Sequence, residues 1–332
     1  MTDHLLEVEN LFVEFSTRDG IVKAVNGMNF TLNEGETIAI LGESGSGKSV
    51  TAQAIMGILD MKIASIPKGS IRYKGKELVD LSEKDHRKLR GSDLSMIFQD
   101  ALSALNPVTC VGDQVAEMYR VHQGASKKQA KAQAIEVMGH VGIPAAGKRY
   151  GDYPHQFSGG MRQRIMIAMM IALRPKVLIA DEPTTALDVT VQAQIMELLQ
   201  DLQRDTGTGL ILITHDLGVV ASVAERIVVM YSGRVMETGD VEAMYATPAN
   251  PYTVGLLESI PKLDVKVGRL PAIPGLPPNL LAVPPGCPYH LRCSRAIEAC
   301  FSDPSPPFVE VAPGHSSMCW MAQEVYAGER VG

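Results

Sequence analysis

The strongest constraint in the sequence lies at residues 41–49, which read Leu-Gly-Glu-Ser-Gly-Ser-Gly-Lys-Ser. An apolar run at residues 37–40 precedes this segment and predicts a buried strand, and the pattern of residues 50–59 predicts a helix. A strand, a glycine-rich loop and a helix in this order are the setting that a phosphate-binding loop requires. The alternative is a glycine-rich turn that merely contains a lysine, and the complete motif between two correct flanks argues against it.

The residue types of this loop suit the binding of a nucleoside triphosphate with Mg²⁺. The glycines allow successive backbone N–H groups to turn toward a phosphate, and the start of the helix adds the positive end of its dipole. Lys48 supplies a positive charge, and the Ser49 hydroxyl is a ligand for Mg²⁺. The predicted nucleotide contacts come from the whole loop and the first helical residue: Gly42, Glu43, Ser44, Gly45, Ser46, Gly47, Lys48, Ser49 and Val50.

Length and composition limit the class of protein. With 332 residues, 45% of them hydrophobic and 20% charged, the chain is expected to form two domains or one large α/β domain with an appendage. A net charge of −6 argues against a nucleic-acid partner, because such a partner requires a basic surface. Residues 1–4 do not resemble an export signal, and the longest apolar run, residues 165–173, is too short to cross a bilayer. Any membrane association is therefore expected to come through a partner.

Hydropathy patterns divide the chain into strand-rich and helix-rich parts. Residues 6–15 and 22–32 alternate between apolar and polar side chains, which predicts antiparallel strands with one solvated face. A further hairpin is predicted at residues 69–79, and the helical pattern of residues 111–173 predicts an insertion in an α/β core. Phe15 is the nearest aromatic residue that could stack on a nucleotide base, although core packing is the favoured role at this spacing.

Polar residues come directly after three predicted buried strands. They are Gln99, the pair Asp181 and Glu182, and His215. Ligands bind at the carboxyl ends of the strands in open α/β sheets. A lone histidine at such a position is more often a core residue, but here it shares the predicted sheet edge with the phosphate-binding loop. The sequence therefore predicts that these side chains belong to the same site as the loop.

Two predicted helix starts complete the set of motifs. Ser158, Gly159 and Gly160 open a helix, where they act as a cap and packing point or as a second anion-binding helix end. Residues 184–188, which end in Asp188, are predicted to cap a long amphipathic helix. Taken in order along the chain, these motifs resemble the nucleotide-binding subunit of ATP-binding cassette (ABC) transporters. The resemblance extends over residues 5–244 with no motif missing.

The resemblance assigns each motif a place in the ABC architecture. The assignments are Walker A at 42–49, the Q-loop at Gln99, the signature at 157–161, Walker B at 177–182, the D-loop at Asp188 and the switch histidine at His215. They imply an α/β P-loop ABC ATPase fold with an antiparallel β subdomain and a helical insertion at about 101–173. The expected division is an ABC nucleotide-binding domain at 1–246, a proline-rich connecting segment at 247–286 and a small Cys-rich C-terminal module at 287–332 that binds a metal cluster.

The same resemblance implies how ATP and Mg²⁺ are held. Lys48 is expected to hold the β- and γ-phosphates of ATP. Ser49 and Gln99 are expected to ligate Mg²⁺, and Asp181 to hold the hydration shell of the metal. These are oxygen ligands, which suit Mg²⁺.

Hydrolysis and dimer closure follow from the remaining motifs. Glu182 is expected to polarise the attacking water, and His215 to contact the γ-phosphate. The alternative, a cassette that binds ATP without turnover, is disfavoured because both residues are present. The signature residues 158–160 are expected to close over the nucleotide of a partner subunit in a head-to-tail dimer. Phe157 and Met161 depart from the commonest signature, and we expect them to alter this interface without abolishing it.

The C-terminal part narrows the resemblance to the D-type ATPases of oligopeptide/dipeptide permeases. The matching segments are residues 49–50, 96–100, 250–253 and 270–275. This implies an ATP-hydrolysing subunit at the cytoplasmic face of the inner membrane that energises import of peptides, with nickel or sugars as alternative substrates. The implied partners are a second ATPase subunit, either an F-type paralogue or a second copy, two integral membrane permease subunits and, indirectly, a substrate-binding protein.

Four cysteines concentrate near the C-terminus. Cys287, Cys293, Cys300 and Cys319 are separated by five, six and eighteen residues, and no C-x-x-C pair is present. From the residues alone, tetrahedral Zn²⁺ and a cubane cluster are equally compatible, and four unligated thiols are a weaker third interpretation. The resemblance favours a [4Fe–4S] cluster. His290 and His315 could replace a cysteine ligand, but they are expected to lie on the surface, and Cys110 is expected to be a lone thiol.

A soluble ATPase that acts on nucleic acid or the ribosome is the alternative to a transport subunit. Soluble cassette ATPases that act on DNA or the ribosome usually contain two cassettes or long coiled coils. This chain has one cassette, no heptad repeat and an acidic net charge. Transport is therefore the preferred prediction.

Overall fold

The structure is a computed structural model that describes residues 4–100, 104–184, 188–259 and 272–328. It divides into two compact units. Unit 1 contains Met1–Thr31, Thr37–Val79 and Ile213–Gly332, and unit 2 contains Leu32–Glu36 and Asp80–Leu212. Across the described ranges, no helix is long and apolar enough to cross a membrane.

The strands are numbered along the chain. They are β1 (Leu6–Thr17), β2 (Gly20–Leu32), β3 (Thr37–Leu41), β4 (Ala64–Tyr73), β5 (Lys76–Glu77), β6 (Leu94–Ile97), β7 (Val177–Asp181), β8 (Gly209–Ile213), β9 (Arg226–Tyr231), β10 (Arg234–Asp240), β11 (Phe308–Ala312) and β12 (His315–Met318).

The helices follow the same convention. The α-helices are α1 (Lys48–Met56), α2 (Glu83–Leu89), α3 (Val111–Gln123), α4 (Lys127–His140), α5 (Ala146–Arg149), α6 (Gly159–Ile171), α7 (Val189–Thr206), α8 (Leu217–Val223), α9 (Val241–Ala246), α10 (Pro251–Glu258) and α11 (Ala322–Tyr326). Short 3₁₀ helices occupy Pro154–Gln156, His290–Arg292 and Glu298–Phe301.

The predicted antiparallel strands form a four-stranded sheet in the order β2-β1-β4-β5. β1 pairs antiparallel with β4, and β4 turns into β5 as the hairpin prediction requires. On β1, Leu6, Val8 and Val13 are buried, whereas Glu7 and Glu9 between them are not. This is the period-2 pattern from which the strand was predicted, with a shift of one residue between Glu9 and Phe12, where the pairing with β4 is irregular.

A second sheet in unit 1 carries the phosphate-binding loop. Its strands there lie in the order β11-β12-β10-β9-β3. β3 is buried along its whole length and runs parallel to β9, while β10 pairs antiparallel with both β9 and β12. Fully buried parallel strands consist of continuous apolar runs, which is why β3 was recognisable in the sequence.

The C-terminal segment continues this sheet instead of forming a separate module. In β12, Ser316 and Ser317 pair with Thr238 and Glu237 of β10, and β11 pairs with β12. The prediction of a self-contained Cys-rich module is therefore not supported. The module was predicted because residues 287–332 have too few apolar residues to form a core of their own. In the structure the segment joins the sheet instead, because β12 pairs with the open edge of β10.

Unit 2 contains a parallel strand pair and the predicted helical insertion. The strand order is β8-β7-β6, with β6 parallel to β7. Helix α3 packs against α4 and α6. Ser126 and Gln129 form a reciprocal capping box at the start of α4, so a serine followed by a glutamine at this spacing fixes where the helix begins.

Candidate nucleotide-binding site

The phosphate-binding loop connects β3 to α1 in unit 1. Gly47 caps α1 with φ of 105°, so the helix begins at Lys48, two residues before its predicted start. A Cβ atom on Gly42 would lie 2.2 Å from the Met230 carbonyl oxygen, and one on Gly47 would lie 2.4 Å from that of Ala24. Glycine is therefore required at both positions, because the loop passes directly over neighbouring backbone.

The Lys48 ammonium lies inside the loop. Lys48 is 6% exposed, and its Nζ donates to the Gly42 carbonyl at 2.7 Å and to the Glu43 carbonyl at 2.9 Å. Nζ is also 3.5 Å from Ser46 Oγ. The charge is thus held by loop oxygens at the place where the motif positions a phosphate. Ser49 follows in the first turn of α1 and is exposed.

His215 lies next to the end of the strand that leads into the loop. The N–H of the preceding residue, Thr214, donates to the Ile40 carbonyl of β3 at 3.4 Å. The Asp216 N–H donates to Thr214 Oγ1 at 3.0 Å and turns the chain into α8. His215 itself is exposed, so the alternative interpretation as a passive core histidine is wrong.

Walker B and the Q-loop meet within unit 2. Asp181 is buried at the end of β7, and Glu182 follows with φ of 47°, a left-handed conformation that is uncommon for a non-glycine residue. Gln99 Nε2 donates to Glu182 Oε2 at 2.8 Å. The contact arises because β6 and β7 are parallel neighbours whose carboxyl ends coincide. The proximity of the motifs was predicted, but this hydrogen bond was not.

Gln163 is a site residue that sequence reasoning missed. It lies on α6, is 5% exposed, and its Nε2 donates to the Pro183 carbonyl at 2.7 Å. It thereby ties the signature helix to the residue after Glu182. It is the single amide of this helix but lies between Arg162 and Arg164, so the sequence does not mark it as buried.

The signature motif forms the start of α6 as expected. The Met161 N–H donates to the Ser158 side chain at 3.4 Å, so Ser158 caps the helix, and Gly159 and Gly160 form its first turn. A cavity of about 530 Å³ lies beside this turn and is also lined by residues of α7. The charged group of Arg149 lies 4.1 Å from the centre of the buried Phe157 ring.

The unusual side chains of the signature therefore share one partner. Arg149 stacks on Phe157, and its Nη1 also lies 3.3 Å from the sulfur of Met161. Both departures from the common motif are accommodated inside unit 2. Their effect on a subunit interface stays a prediction.

The structure gives the positions of Asp188 and Phe15, and their predicted roles stay predictions. Asp188 caps α7, and its carboxylate accepts from the Val191 N–H at 3.0 Å. Residues 185–187, which were predicted to form part of the same cap, lie outside the described residues. Phe15 is half-buried on β1 opposite Ala64, and its proposed contact with a base stays a prediction.

Glu43 is held by C-terminal residues that sequence analysis used only as family markers or did not notice. Its carboxylate forms an ion pair with Arg292, and its N–H donates to the Tyr252 hydroxyl at 3.0 Å. Burial tends to lower the pKa of Arg292, but hydrogen bonds with Glu43 and Tyr231 outweigh this effect and raise it. The guanidinium is therefore permanently charged.

Two of the four C-terminal cysteines are buried in unit 1, and the other two are half-buried. Cys287 and Cys300 are buried, and the Cys287 N–H donates to the Cys300 carbonyl at 3.0 Å. The sulfur atoms of Cys293 and Cys319 accept backbone N–H groups at 3.4 and 3.3 Å. Burial raises the pKa of Cys287 to about 11 and that of Cys319 to about 12.

The placement of these thiols does not support the predicted metal centre. Within the part of the chain that the structure describes, no group of three or more His, Cys, Asp or Glu side chains could hold a metal ion. Cys287 and Cys300 instead belong to the buried apolar cluster that contains Leu41, Tyr231 and Tyr252, and Cys293 packs against this cluster. No step of the chemistry is assigned to a cluster.

The prediction that both C-terminal histidines lie on the surface is wrong. His290 is 6% exposed, and its Nδ1 lies 2.6 Å from the Cys287 carbonyl oxygen. His315 is 2% exposed, and its Nε2 lies 2.7 Å from the carboxylate of the fully buried Glu237. Each imidazole is accommodated because a backbone or carboxylate oxygen satisfies one ring nitrogen.

The predicted site residues thus gather into two sets. In unit 1 the phosphate-binding loop lies close to His215, and in unit 2 Gln99, Glu182 and the signature helix are linked through hydrogen bonds. The first set forms an anion-binding loop that contains Lys48. In the second set, a hydrogen bond from Gln99 orients the Glu182 carboxylate.

Comparison with known proteins agrees with these motifs. A model of the ABC transporter family matches residues 25–185, and a model of the oligopeptide/dipeptide transporter C-terminal region matches residues 236–300. The solved dimer of the ATP-binding cassette MJ0796 in a post-hydrolysis state with ADP and Pi is 27% identical. It covers 71% of this chain and 98% of its own, with a TM-score of 0.65.

Curated relatives match almost the whole chain. The oligopeptide transport ATP-binding protein OppD of Haemophilus influenzae is 50% identical over 97% of this chain and 98% of its own length. The dipeptide transport ATP-binding protein DppD of Bacillus subtilis is 50% identical over 97% of this chain and 96% of its own length. The predicted P-loop ABC ATPase fold is confirmed, and the chain belongs to the ABC transporter family, within its group of oligopeptide and dipeptide transport ATP-binding proteins.

Proposed function

We propose that this chain is the ATP-binding and ATP-hydrolysing subunit that energises import of peptides across the cytoplasmic membrane. The observation that carries the proposal is the phosphate-binding loop with Lys48 buried among its carbonyl oxygens. The printed names of the relatives, which are oligopeptide and dipeptide transport proteins, support the substrate class.

The proposed ATP site combines charge neutralisation with positioning. Phosphoryl transfer to water requires these more than covalent help from the protein. Lys48 exchanges its contacts with loop carbonyls for contacts with the β- and γ-phosphates. The hydroxyl of Ser49, the amide oxygen of Gln99 and the carboxylate of Asp181 are hard oxygen donors that fit Mg²⁺, which accepts few protein ligands beside phosphates and water. When bound, Mg²⁺ neutralises phosphate charge.

Hydrolysis is assigned to Glu182 and His215. The Glu182 carboxylate accepts a proton from the attacking water, and the hydrogen bond from Gln99 orients it for this role. His215 is exposed at the end of the strand next to the loop, where an imidazole can donate to a γ-phosphate oxygen. A hydrolytic function is preferred over ATP binding alone because both groups are present.

The proposal includes an assembly. Residues 158–160 and Asp188 contact the nucleotide held by a second ATPase subunit, either an F-type paralogue or a second copy of this chain. Two integral membrane permease subunits and, indirectly, a substrate-binding protein complete the transporter at the cytoplasmic face of the inner membrane. The division into a domain at 1–246, a connecting segment at 247–286 and a C-terminal part at 287–332 belongs to this proposal.

Peptide uptake by the reconstituted transporter tests the function. The chain is expressed with its two membrane subunits and second ATPase, incorporated into proteoliposomes and supplied with ATP inside and labelled di- or oligopeptide with binding protein outside. We expect uptake that requires ATP and ceases with Lys48→Ala. Uptake of nickel or a sugar in place of peptide would overturn the substrate class. Failure to associate with membrane subunits, together with ATPase activity stimulated by nucleic acid, would overturn the transport role.

A [4Fe–4S] cluster at the four C-terminal cysteines is kept as a separate proposal. Its support is the family resemblance and the number of thiols, while the placement of the side chains does not form a metal-binding group. Without a metal, the raised pKa values of Cys287 and Cys319 keep these thiols protonated at neutral pH, whereas ligation removes the protons. We expect anaerobically purified protein to be brown and to contain iron and acid-labile sulfide. A colourless protein with one equivalent of zinc would contradict this prediction.

A further inference from the structure

The C-terminal region holds one residue of the phosphate-binding loop from two directions. Arg292 Nη1 donates to Glu43 Oε2 at 2.6 Å, and Nη2 donates to Oε1 at 2.9 Å, so the pair is bidentate. The Glu43 N–H donates to the Tyr252 hydroxyl at 3.0 Å. Both the side chain and the backbone amide of Glu43 are therefore fixed by residues more than 200 positions away along the chain.

Arg292 is itself held rigidly. Its side chain is 6% exposed, its Nε donates to the Pro274 carbonyl at 2.8 Å, and Nη1 also donates to the Tyr231 hydroxyl at 3.1 Å. A guanidinium with its donors satisfied in several directions cannot follow a moving carboxylate. The Glu43 side chain, which is 26% exposed, is consequently fixed by the arginine.

Tyr252 is anchored by aromatic packing. It is fully buried, and its ring centre lies 4.7 Å from that of Tyr231 and 5.1 Å from that of Tyr289. The preceding Asn250 side chain donates to the Met236 and Met318 carbonyls, which ties this helix start to the sheet. The hydroxyl that meets the loop is thus presented from a rigid base.

The carbonyl group of Glu43 contacts the phosphate-binding lysine, Lys48. The Glu43 carbonyl accepts from Lys48 Nζ at 2.9 Å and from the Ser46 N–H at 3.2 Å. An orientation of Glu43 imposed by Tyr252 and Arg292 therefore also orients an oxygen that holds Lys48. A loop ordered before nucleotide arrives loses less conformational entropy on binding ATP.

We propose that Tyr252 and Arg292 are positioning residues that preorganise the phosphate-binding loop through Glu43, so that the C-terminal region sets the affinity for ATP. This inference rests on the proposed function of the loop as an ATP site. It assigns Tyr252 and Arg292 a role in the nucleotide site that does not depend on a transported substrate or a metal.

The test separates positioning from stability by kinetics. Tyr252→Phe removes one hydroxyl, and Arg292→Lys keeps the charge but loses the bidentate fork. Each is expected to raise the KM for ATP about fivefold, as expected for loss of one hydrogen bond, while kcat changes less than about twofold. Arg292→Met is expected to raise KM further. Hydrogen exchange of the amides at 42–47 is expected to become faster in each variant without nucleotide.

Two matched controls act elsewhere in unit 1. Tyr289→Phe removes a hydroxyl from the same aromatic cluster without touching Glu43. Arg72→Met removes an arginine that pairs with Glu7 at 2.6 Å and Glu9 at 2.8 Å in the antiparallel sheet. Both controls are expected to keep the KM for ATP and the exchange of residues 42–47 at wild-type values, even where melting temperature falls.

The outcomes distinguish this inference from the proposed function. Wild-type protein that binds no ATP, together with unchanged loop exchange in the variants, would overturn both. Wild-type binding of ATP with unchanged KM and unchanged loop exchange in Tyr252→Phe and Arg292→Lys would overturn only the positioning role. An equal rise of KM in the controls would also overturn it, because the effect would then follow general stability. In a double-mutant cycle of Glu43→Gln with Arg292→Met, the effects on KM are expected to be non-additive.

Discussion

Replacing Glu182 by Gln is expected to lower the rate of ATP hydrolysis about 100-fold or more while ATP binding stays close to that of the wild type. The amide has the shape of the carboxylate but cannot take a proton from water. Its oxygen still accepts the hydrogen bond that Gln99 donates to Glu182 at 2.8 Å, so the local structure is preserved. Single-turnover hydrolysis and equilibrium binding of ATP measure the two effects separately.

The control for this substitution is Glu117→Gln on the exposed surface of α3. It makes the same chemical change in unit 2 and is expected to leave both hydrolysis and ATP binding unchanged. Undiminished turnover in Glu182→Gln would remove Glu182 from the role of the base. A parallel loss of ATP binding would instead assign Glu182 a structural role at the end of β7.

The elements that carry the nucleotide motifs were predictable because their patterns are local. β3 is a short buried run before a glycine-rich loop, and β1 alternates between buried and less buried residues over residues 6–9 and 11–14. Ser158 and Asp188 precede helices that they do cap. Each of these signals resides within a few residues, so neither tertiary contacts nor the partner strands were needed to interpret it.

The C-terminal region was predicted less well because its structure depends on distant partners. The segment appeared to lack a core, yet β12 pairs with β10 and the buried His315 lies beside Glu237. A sequence does not show which open strand edge a later segment will join, nor which buried carboxylate will accept from a histidine. The assignment of both histidines to the surface failed for this reason.

Contacts between motifs were also outside the reach of sequence patterns. Gln99 was assigned to the metal, and the structure adds its hydrogen bond to Glu182. Gln163 and Arg292 were not identified at all, because their roles depend on one acceptor each, the Pro183 carbonyl and the Glu43 carboxylate. Gln163 lies between Arg162 and Arg164, and Arg292 lies in the polar segment 287–295, so no local pattern marks either side chain as buried.

Gly47→Ala is expected to lower the affinity for ATP about 100-fold or more, corresponding to ~2.7 kcal/mol of binding free energy. Gly47 has φ of 105°, which an L-residue with a side chain rarely adopts. The added Cβ would also lie 2.4 Å from the Ala24 carbonyl oxygen, so the backbone must shift where α1 begins. That shift turns loop N–H groups away from the phosphates and displaces the neighbouring Lys48. Isothermal titration with a non-hydrolysable ATP analogue measures the loss.

The matched control for this prediction is Gly35→Ala. Gly35 also has positive φ, 68°, but an added Cβ would meet nothing within 4 Å. It should cost about 1 kcal/mol of stability through backbone strain and leave ATP affinity unchanged. If Gly47→Ala and Gly35→Ala bind ATP equally well, the close approach of the loop to Ala24 does not govern binding. Circular dichroism of both variants establishes that they fold, and Lys48→Ala removes the phosphate-binding charge while it leaves Gly47 in place. We expect ATP binding to be lost in Gly47→Ala and in Lys48→Ala but not in Gly35→Ala. This result would show that ATP binding depends on both the backbone conformation of the loop and its positive charge.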